Sequence, residues 1–175
     1  MKKFCIIALV CLVILVVVLA CPVGQNDQFV RIHIRSDSDE MDAQNVKYAV
    51  KDAVCDYLIP LLAQTENATE VRAMLQKEKA NVEKIANEVL RKWGFDYTAK
   101  AVLKQEYFPL RTYGNLTLPD GVYWAFILEL GEGLGDNWWC VAYPPLCFVN
   151  GEGDFGNVTY KSKLLEIIEN WYKNR

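Results

Sequence analysis

Histidine is almost absent from this sequence. His33 is the single histidine among 175 residues, so a Ser/His/Asp or Cys/His mechanism would have to use it. Arg31 and Arg35 share its face of a predicted strand, and their charges would lower the pKa of the imidazole. One histidine and a Cys-x6-Cys pair also do not supply the three or four ligands of a zinc-type centre. We therefore predict no catalytic residue, no metal and no cofactor, and we interpret His33 as a surface or partner-facing side chain.

An excess of basic charge is also missing. The formal net charge is −3, and Lys2 and Lys3 are the only charges in the first 20 residues, so the remainder carries 17 basic and 22 acidic side chains. Non-specific nucleic-acid binding depends on neutralising phosphates, so we expect no nucleic-acid partner. No repeat or low-complexity segment is visible, which excludes collagen-like and disordered chains. The length fits one domain.

One long hydrophobic run is present, at the N-terminus. Lys2 and Lys3 precede the uncharged residues 4–20, an arrangement typical of an export signal. Three outcomes remain open: cleavage after Ala20, lipidation of Cys21, and retention of the run as a membrane anchor, since it approaches the roughly 20 residues that span a bilayer. In each case the two lysines stay inside and the rest of the chain lies outside the membrane.

The domain organisation follows from that signal. Residues 1–21 are interpreted as an export signal or membrane anchor, the polar residues 22–28 as a linker, and residues 29–175 as a single exported domain. The protein would contact the membrane through residues 4–21 before cleavage, or permanently if cleavage does not occur.

Three cysteines lie outside the export segment. Cys140 and Cys147 flank Pro144-Pro145, which favours a turn, so we predict that their Cα atoms lie within about 7 Å and that a disulfide joins them. Two reduced, buried cysteines remain the alternative. Cys55 lies on the apolar side of a predicted helix, and we expect it to be buried and unpaired.

The first half of the chain predicts one strand and two long helices. Residues 29–35 alternate apolar and polar side chains, as a half-buried strand does. Asp37 and Glu40 have the spacing of a capping box, and a helix of about 20 residues should follow, bent or ended by Pro60. A second helix should end at Gly94.

The second half predicts strands over residues 97–107, 121–130 and 138–143, with residues 121–130 as the central strand because they are apolar on both faces. Residues 161–174 have the pattern of an amphipathic helix. We therefore predict an α+β fold, with a mostly antiparallel sheet packed against two long helices and a C-terminal amphipathic helix.

The loop before the last strand is the candidate binding surface. It combines flexible glycines, two acids and two tryptophans that must point to opposite faces of a strand. We predict that it binds a partner protein, through Gly131, Glu132, Gly133, Gly135, Asp136, Asn137, Trp138 and Trp139. Its odd residues could instead serve folding alone, which would leave the face of Arg31, His33 and Arg35 as the contact surface. The alternative function is an exported hydrolase that uses Glu129, Glu132 or Asp136 as acid and base, and a third is a structural envelope protein.

Two long segments carry a family resemblance. The stretch LPDGVYWAFILELGEGLGDNWWCVAYPPLCF, residues 118–148, closely resembles the core of the stage II sporulation protein R family. The opening RIHIRSDSDEMDAQNVKYAVKDAV, residues 31–54, is similar to the start of that family. The resemblance covers residues 29–175. It departs in that the family often has Ala-Asn before the Ser-Asp-Ser stretch, where this chain has Arg35, and aliphatic or Phe residues in place of Ala142-Tyr143.

The resemblance implies a signal rather than an enzyme. Members of the family are made in the forespore and exported into the space between forespore and mother cell. There they activate a membrane-embedded aspartic protease of the mother cell, which processes the precursor of the sporulation sigma factor E. The residues are compatible with that role, because they provide an export signal, a compact domain and candidate interface aromatics.

Overall fold

The structure is a computed structural model that describes residues 26–113 and 116–145. Its elements in chain order are β1 (Val30–Arg35), α1 (Met41–Leu62), α2 (Ala68–Lys92), β2 (Ala99–Phe108), β3 (Arg111–Tyr113), β4 (Leu116–Leu118), β5 (Gly121–Leu130) and β6 (Asn137–Tyr143). The predicted export segment, the C-terminal helix at 161–174 and Cys147 lie outside the described residues.

A mixed four-stranded sheet carries the fold, in the order β2-β5-β1-β6. β1 runs parallel to β5, whereas β1 with β6 and β2 with β5 are antiparallel pairs. β3 and β4 form a separate antiparallel hairpin. The α+β prediction with two long helices and a mostly antiparallel sheet is therefore confirmed, and β5 is an inner strand as predicted.

The two helices cover one face of the sheet and form the larger core with it. Apolar side chains recur on the inward face of each helix at helical spacing, and the strands contribute every second residue. The fully buried members of this core include Val30, Ile32, Ile34, Val46, Val50, Leu58, Val71, Leu75, Val82, Leu90, Ala101 and Phe126.

A smaller apolar cluster covers the opposite face. It consists of Phe29, Phe108, Leu118, Tyr123, Ala125, Ile127 and Val141, with Val102, Tyr113 and Trp139 packed against it. The β3–β4 hairpin contributes to this cover, so β1 is buried on both faces. The prediction of a half-buried β1 was wrong for this reason: Arg31 and His33, read as solvent-facing from the alternation, are both 0% exposed.

The helix ends confirm the predicted stop at Gly94, add a cap that was not predicted, and correct the predicted capping box. Asn67 caps α2 by accepting a hydrogen bond from the Glu70 backbone N–H, and Gly94 ends that helix with a φ of 85°. The predicted capping box at the start of α1 was wrong, because its N-cap, Glu40, makes no side-chain cap bond. Pro60 lies inside the last turn of α1, which ends at Leu62.

Cys55 is free, as predicted, but only partly buried. Its side chain packs against the margin of the larger core, beside fully buried Val54, so the expectation that Cys55 is buried is met only in part. Burial still raises the pKa of the thiol to about 12. Neither helix of the described ranges is long and apolar enough to cross a membrane.

Candidate functional site

Two loops meet where β1 and β5 end. These strands are parallel neighbours, and Arg35 is in register with Glu129, so the chain leaves both strands at the same edge of the sheet. The Gly135 N–H donates to the Ser36 carbonyl (2.9 Å) and the Leu134 N–H to the Asp37 carbonyl (3.2 Å). We call the two segments, residues 36–40 and 131–136, the clasp.

Two aspartates of the first segment hold the backbone of the second. The carboxylate of Asp37 accepts a hydrogen bond from the Glu132 N–H (2.8 Å), and that of Asp39 accepts one from the Asp136 N–H (2.6 Å). The Asp37 carboxylate thus binds across the clasp instead of capping α1. Hydrogen bonds to ionised groups are the stronger kind, so these contacts fix the shape of the 131–136 loop.

The glycines of the loop permit this close approach. A Cβ on Gly131 would overlap the Asp37 carboxylate, and one on Gly135 would overlap the backbone carbonyl group of Ser38. Gly131 and Gly133 also have positive φ angles, 57° and 64°, which residues with side chains adopt at a cost. At least two of the three glycines are therefore required by the packing of the clasp.

Lys47 of α1 connects both segments of the clasp to the helix. Its ammonium donates to the Asp136 carbonyl (3.0 Å) and to the Gln44 side chain (2.5 Å), and Gln44 in turn donates to the Ser38 carbonyl (2.9 Å). Lys47 is only 1% exposed. Burial lowers the pKa of Lys47, while the charges of Asp136 and Asp39 oppose the shift. The clasp is therefore anchored to a helix as well as to two strands.

The clasp and the first residue of α1 expose two large apolar side chains. Leu134 is 82% exposed, and Met41, at the start of α1, is 78% exposed. The side chains of Glu132 and Asp136 are also exposed, because only their backbone groups bind within the clasp. Segments 36–42 and 131–136 together contain six acidic side chains and no basic one.

The prediction from the sequence included Glu132 and Asp136 but missed both apolar side chains. The sequence did contain a signal for both. Leu134 is a large apolar residue in a segment otherwise made of glycine and acids, and Met41 directly follows a segment of serines and acids.

The two tryptophans point to opposite faces of the sheet, as predicted. Trp138 packs at the margin of the core under the helices. Trp139 packs on the other face, with its ring 4.7 Å from that of His33 and 5.2 Å from that of Phe108, and the Arg111 guanidinium lies 5.1 Å from it. Both are partly buried, so neither is an exposed anchor. Their part in partner binding stays a prediction.

A buried arginine lies beneath the smaller apolar cluster. The Arg31 guanidinium lies 4.1 Å from the ring of Phe108 and 4.9 Å from that of Tyr123, and it donates to the Tyr113 hydroxyl (2.7 Å). Its Nε and Nη1 have no hydrogen-bond partner among the described residues. The positive charge is therefore stabilised by aromatic faces and one hydroxyl rather than by a carboxylate.

His33 is also buried, which corrects its interpretation as a surface side chain. Desolvation, followed by the charge of Arg35, lowers the pKa of His33 to about 3, although Glu106 opposes the shift; Lys104 and Arg31 lower it further. The predicted effect of the two arginines is present, but burial is the larger cause. With Arg31 and His33 covered, the alternative contact surface on this face is not open.

Arg35 forms an ion pair with Glu129, one of the carboxylates that the hydrolase interpretation uses. It donates to Glu129 (2.8 Å) and to Glu106, and Lys104 also pairs with Glu106 (2.8 Å). Glu129 is thus ion-paired on the sheet face, whereas Glu132 and Asp136 lie on the exposed clasp. Within residues 26–113 and 116–145, no three His, Cys, Asp or Glu side chains are grouped to hold a metal ion.

The structure describes only one of the two cysteines in the predicted disulfide. Cys140 is buried in β6 and is disulfide-bonded. Its predicted partner, Cys147, lies outside the described residues, so the pairing of these two cysteines stays a prediction.

Comparisons with known proteins agree on one family. The family model for stage II sporulation protein R matches residues 26–153. The chain is also 34% identical over 136 residues to "Stage II sporulation protein R" of Bacillus subtilis (strain 168), which covers 78% of this chain. The chain spans 59% of the length of that relative. No solved structure matches.

Proposed function

The chain belongs to the stage II sporulation protein R family, and from that premise we propose that it is an exported signal of sporulation. In this proposal, residues 1–21 direct export from the forespore, and the domain acts in the space between forespore and mother cell. There it activates a membrane-embedded aspartic protease of the mother cell, which then processes the sigma-E precursor. A role in sporulation follows from the family; the export, the target and the direction of the signal are our proposal.

The clasp is the observation that carries the proposal. A protein that signals by contact needs a surface with a defined shape, and the hydrogen bonds that Asp37 and Asp39 accept and that Lys47 donates fix the shape of this one. Exposed Leu134 and Met41 provide apolar groups that a partner can desolvate, and in an interface a few well-packed residues supply most of the affinity.

Charge gives the surface a preferred partner. The exposed Glu132 and Asp136 flank exposed Leu134 in the sequence, within segments that carry no basic side chain. A negative rim steers approach toward a positive patch and disfavours acidic surfaces. We therefore propose that the protease presents a basic surface to the clasp on the side of the membrane where this domain is exported.

The alternative of an exported hydrolase receives less support. Acid/base hydrolysis needs two carboxylates that face each other across a substrate. Glu129 is instead ion-paired with Arg35, and the backbones of Glu132 and Asp136 are built into the clasp. The arrangement supports a binding surface rather than a reaction centre.

The direct experiment supplies the purified protein from outside. The full chain is added to protoplasts that make the membrane protease and the sigma-factor precursor but not this protein. We expect the shortened sigma factor to appear in proportion to the amount of protein added. If the precursor stays intact at saturating amounts of folded protein, the signalling proposal is wrong.

A charge variant tests the rim in the same assay. Glu132→Gln with Asp136→Asn removes two negative charges and leaves the backbone hydrogen bonds of the clasp in place. The matched control is Glu88→Gln with Asp96→Asn, which neutralises two exposed acids elsewhere. We expect half-maximal processing to need about tenfold more of the rim variant, and an unchanged amount of the control. If the two variants behave equally, the charges of Glu132 and Asp136 do not contribute to activation.

A further inference from the structure

The outer edge of β2 is only partly protected. β2 is the edge strand of the sheet, and such an edge presents unpaired N–H and C=O groups on alternate residues. Two side chains of α2 bind the first of these groups: Asn87 accepts from the Ala99 N–H (2.7 Å) and Glu83 from the Ala101 N–H (2.9 Å). The helix therefore blocks the beginning of the strand edge.

The next three outward positions are open. The backbone N–H groups of Ala99 and Ala101 point away from β5, toward the outer edge. Because backbone groups alternate along a strand, the N–H and C=O groups of Leu103, Gln105 and Tyr107 lie on the same edge. In the part of the chain that the structure describes, no side chain bonds these groups. Pro109 occupies the following outward position and has no N–H to donate. The open window is therefore residues 103–107.

We propose that this window pairs with the same window of a second copy of the chain, in antiparallel orientation and with Gln105 on the two-fold axis. In that register Leu103 of each copy lies opposite Tyr107 of the other, and roughly six backbone hydrogen bonds join the two sheets. The inference is independent of the proposed signalling function.

The sequence of the window is complementary to itself in this register. Lys104 of each copy lies opposite Glu106 of the other, so opposite charges face each other twice. A lysine on an edge strand usually discourages pairing, but here an acid in register offsets it. Both Lys104 and Glu106 lie on the sheet face opposite the helices, where they already form an ion pair within one copy (2.8 Å).

The ends of the window match in the same way. Ala101 of one copy falls opposite Pro109 of the other, and neither has an N–H free to donate, since that of Ala101 is bound by Glu83. The ladder thus ends without leaving a donor unpaired at either end. Beside the window, Tyr107 is 60% exposed and its neighbour Val122 on β5 is 51% exposed, which gives the edge apolar surface to cover.

Cysteine cross-linking tests the register. In the full chain, Gln105→Cys places two thiols on the two-fold axis, with Cα atoms about 5.5 Å apart. Tyr107→Cys is the matched control, because its two copies would be four residues apart along the strand, about 13 Å. We expect a short bismaleimide to link Gln105→Cys into a covalent dimer about tenfold more than Tyr107→Cys or the unchanged protein. Equal yields for all three would overturn the proposal.

A charge reversal tests the pairing itself. In the Gln105→Cys background, Lys104→Glu would set two acids opposite each other at both charge pairs, whereas Lys100→Glu makes the same change on the blocked half of the strand. We expect the first substitution to reduce the dimer yield about fivefold or more and the second to leave it unchanged. A yield that Lys104→Glu does not reduce, or that both reversals reduce equally, would contradict this register.

Discussion

The guanidinium of Arg31 has an unusual environment, because aromatic rings and one hydroxyl surround it in place of a carboxylate. Burying a charge without full hydrogen bonding is costly, and the faces of Phe108 and Tyr123 offset part of that cost. The Tyr113 hydroxyl is the single hydrogen-bond acceptor of Arg31 among the described residues. The β3–β4 hairpin is thus tied to the sheet through this contact.

Tyr113→Phe should therefore be costly for its size. It removes an acceptor from a buried charged donor, a bond worth about 1.5–3 kcal/mol. The matched control is Tyr123→Phe, whose hydroxyl donates to the Pro119 carbonyl, a neutral bond worth about 1 kcal/mol. Urea denaturation of both variants measures the difference in free energy of unfolding. Equal losses would mean that water or another group already satisfies Arg31.

His33 makes the stability of the fold depend on pH. Its pKa is about 3 in the folded protein and 6.5 in the reference state. Below about pH 6.5 the unfolded chain binds a proton that the folded protein does not, so stability falls as the pH falls toward 3. We expect a loss of about 2 kcal/mol between about pH 7 and pH 5.

The matched variant is His33→Phe, which keeps a ring against Trp139 and Phe108. Because the chain has no other histidine, this variant should lose most of the pH dependence between pH 7 and 5. Denaturation midpoints at several pH values make the comparison. A variant as pH-sensitive as the unchanged protein would show that other groups titrate there.

The clasp is the element in which sequence and packing are most closely linked. Gly135 lies against the backbone of Ser38, which cannot rotate away as a side chain can, whereas an added Cβ on Gly133 would meet its neighbours at an ordinary 3.5 Å. The two glycines therefore differ in why they are needed: one for space, the other for its positive φ.

Substitution by alanine should separate these two reasons. Gly133→Ala places a side chain in the left-handed region, at a cost of about 1–2 kcal/mol. Gly135→Ala forces the two loops apart and should cost more, about 3 kcal/mol or above, the range of the most disruptive single substitutions. Thermal unfolding of the two variants measures the order. If Gly135→Ala is the milder change, the loops are not packed as described.

The helices and strands were largely predictable, because the spacing of apolar residues shows helical or strand periodicity whatever the tertiary packing. The alternation of β1 identified the strand but not its burial. Arg31 and His33 look like solvent-facing residues unless the β3–β4 hairpin is known to cover them, and that cover depends on contacts between residues 82 positions apart, such as Arg31 with Tyr113. Long-range packing of this kind leaves no periodic signal.

The candidate site was predictable in outline for a similar reason. Glycines and acids at 131–136 marked an unusual loop, whereas Asp37 matched a local capping box that the structure does not use, and no local pattern predicted a partner for Asp39. Their true partners are backbone groups nearly 100 residues away. A local motif and a distant contact compete for the same carboxylate, and the sequence alone cannot show which one it takes.

In the molecule as a whole, negative charge and exposed apolar groups coincide at one end of the sheet. The formal net charge of the chain is −3, yet segments 36–42 and 131–136 alone carry six acids and no base. Elsewhere in the chain basic side chains balance the acidic ones. Glu106, for example, pairs with both Arg35 and Lys104. This end therefore combines an excess of negative charge with two exposed apolar side chains, as expected of a docking surface.

Sigma-factor processing by protoplasts that carry the protease, measured with Met41→Ser/Leu134→Ser, shows directly whether the clasp docks on the partner. The control is Leu110→Ser/Val122→Ser, which removes two exposed apolar groups near the opposite end of the β2–β5 strand pair from the clasp. We predict that the clasp variant folds with an unchanged melting temperature and loses processing about tenfold or more, while the control processes normally. Full processing by the clasp variant, or equal losses in both, would show that the clasp is not the docking surface.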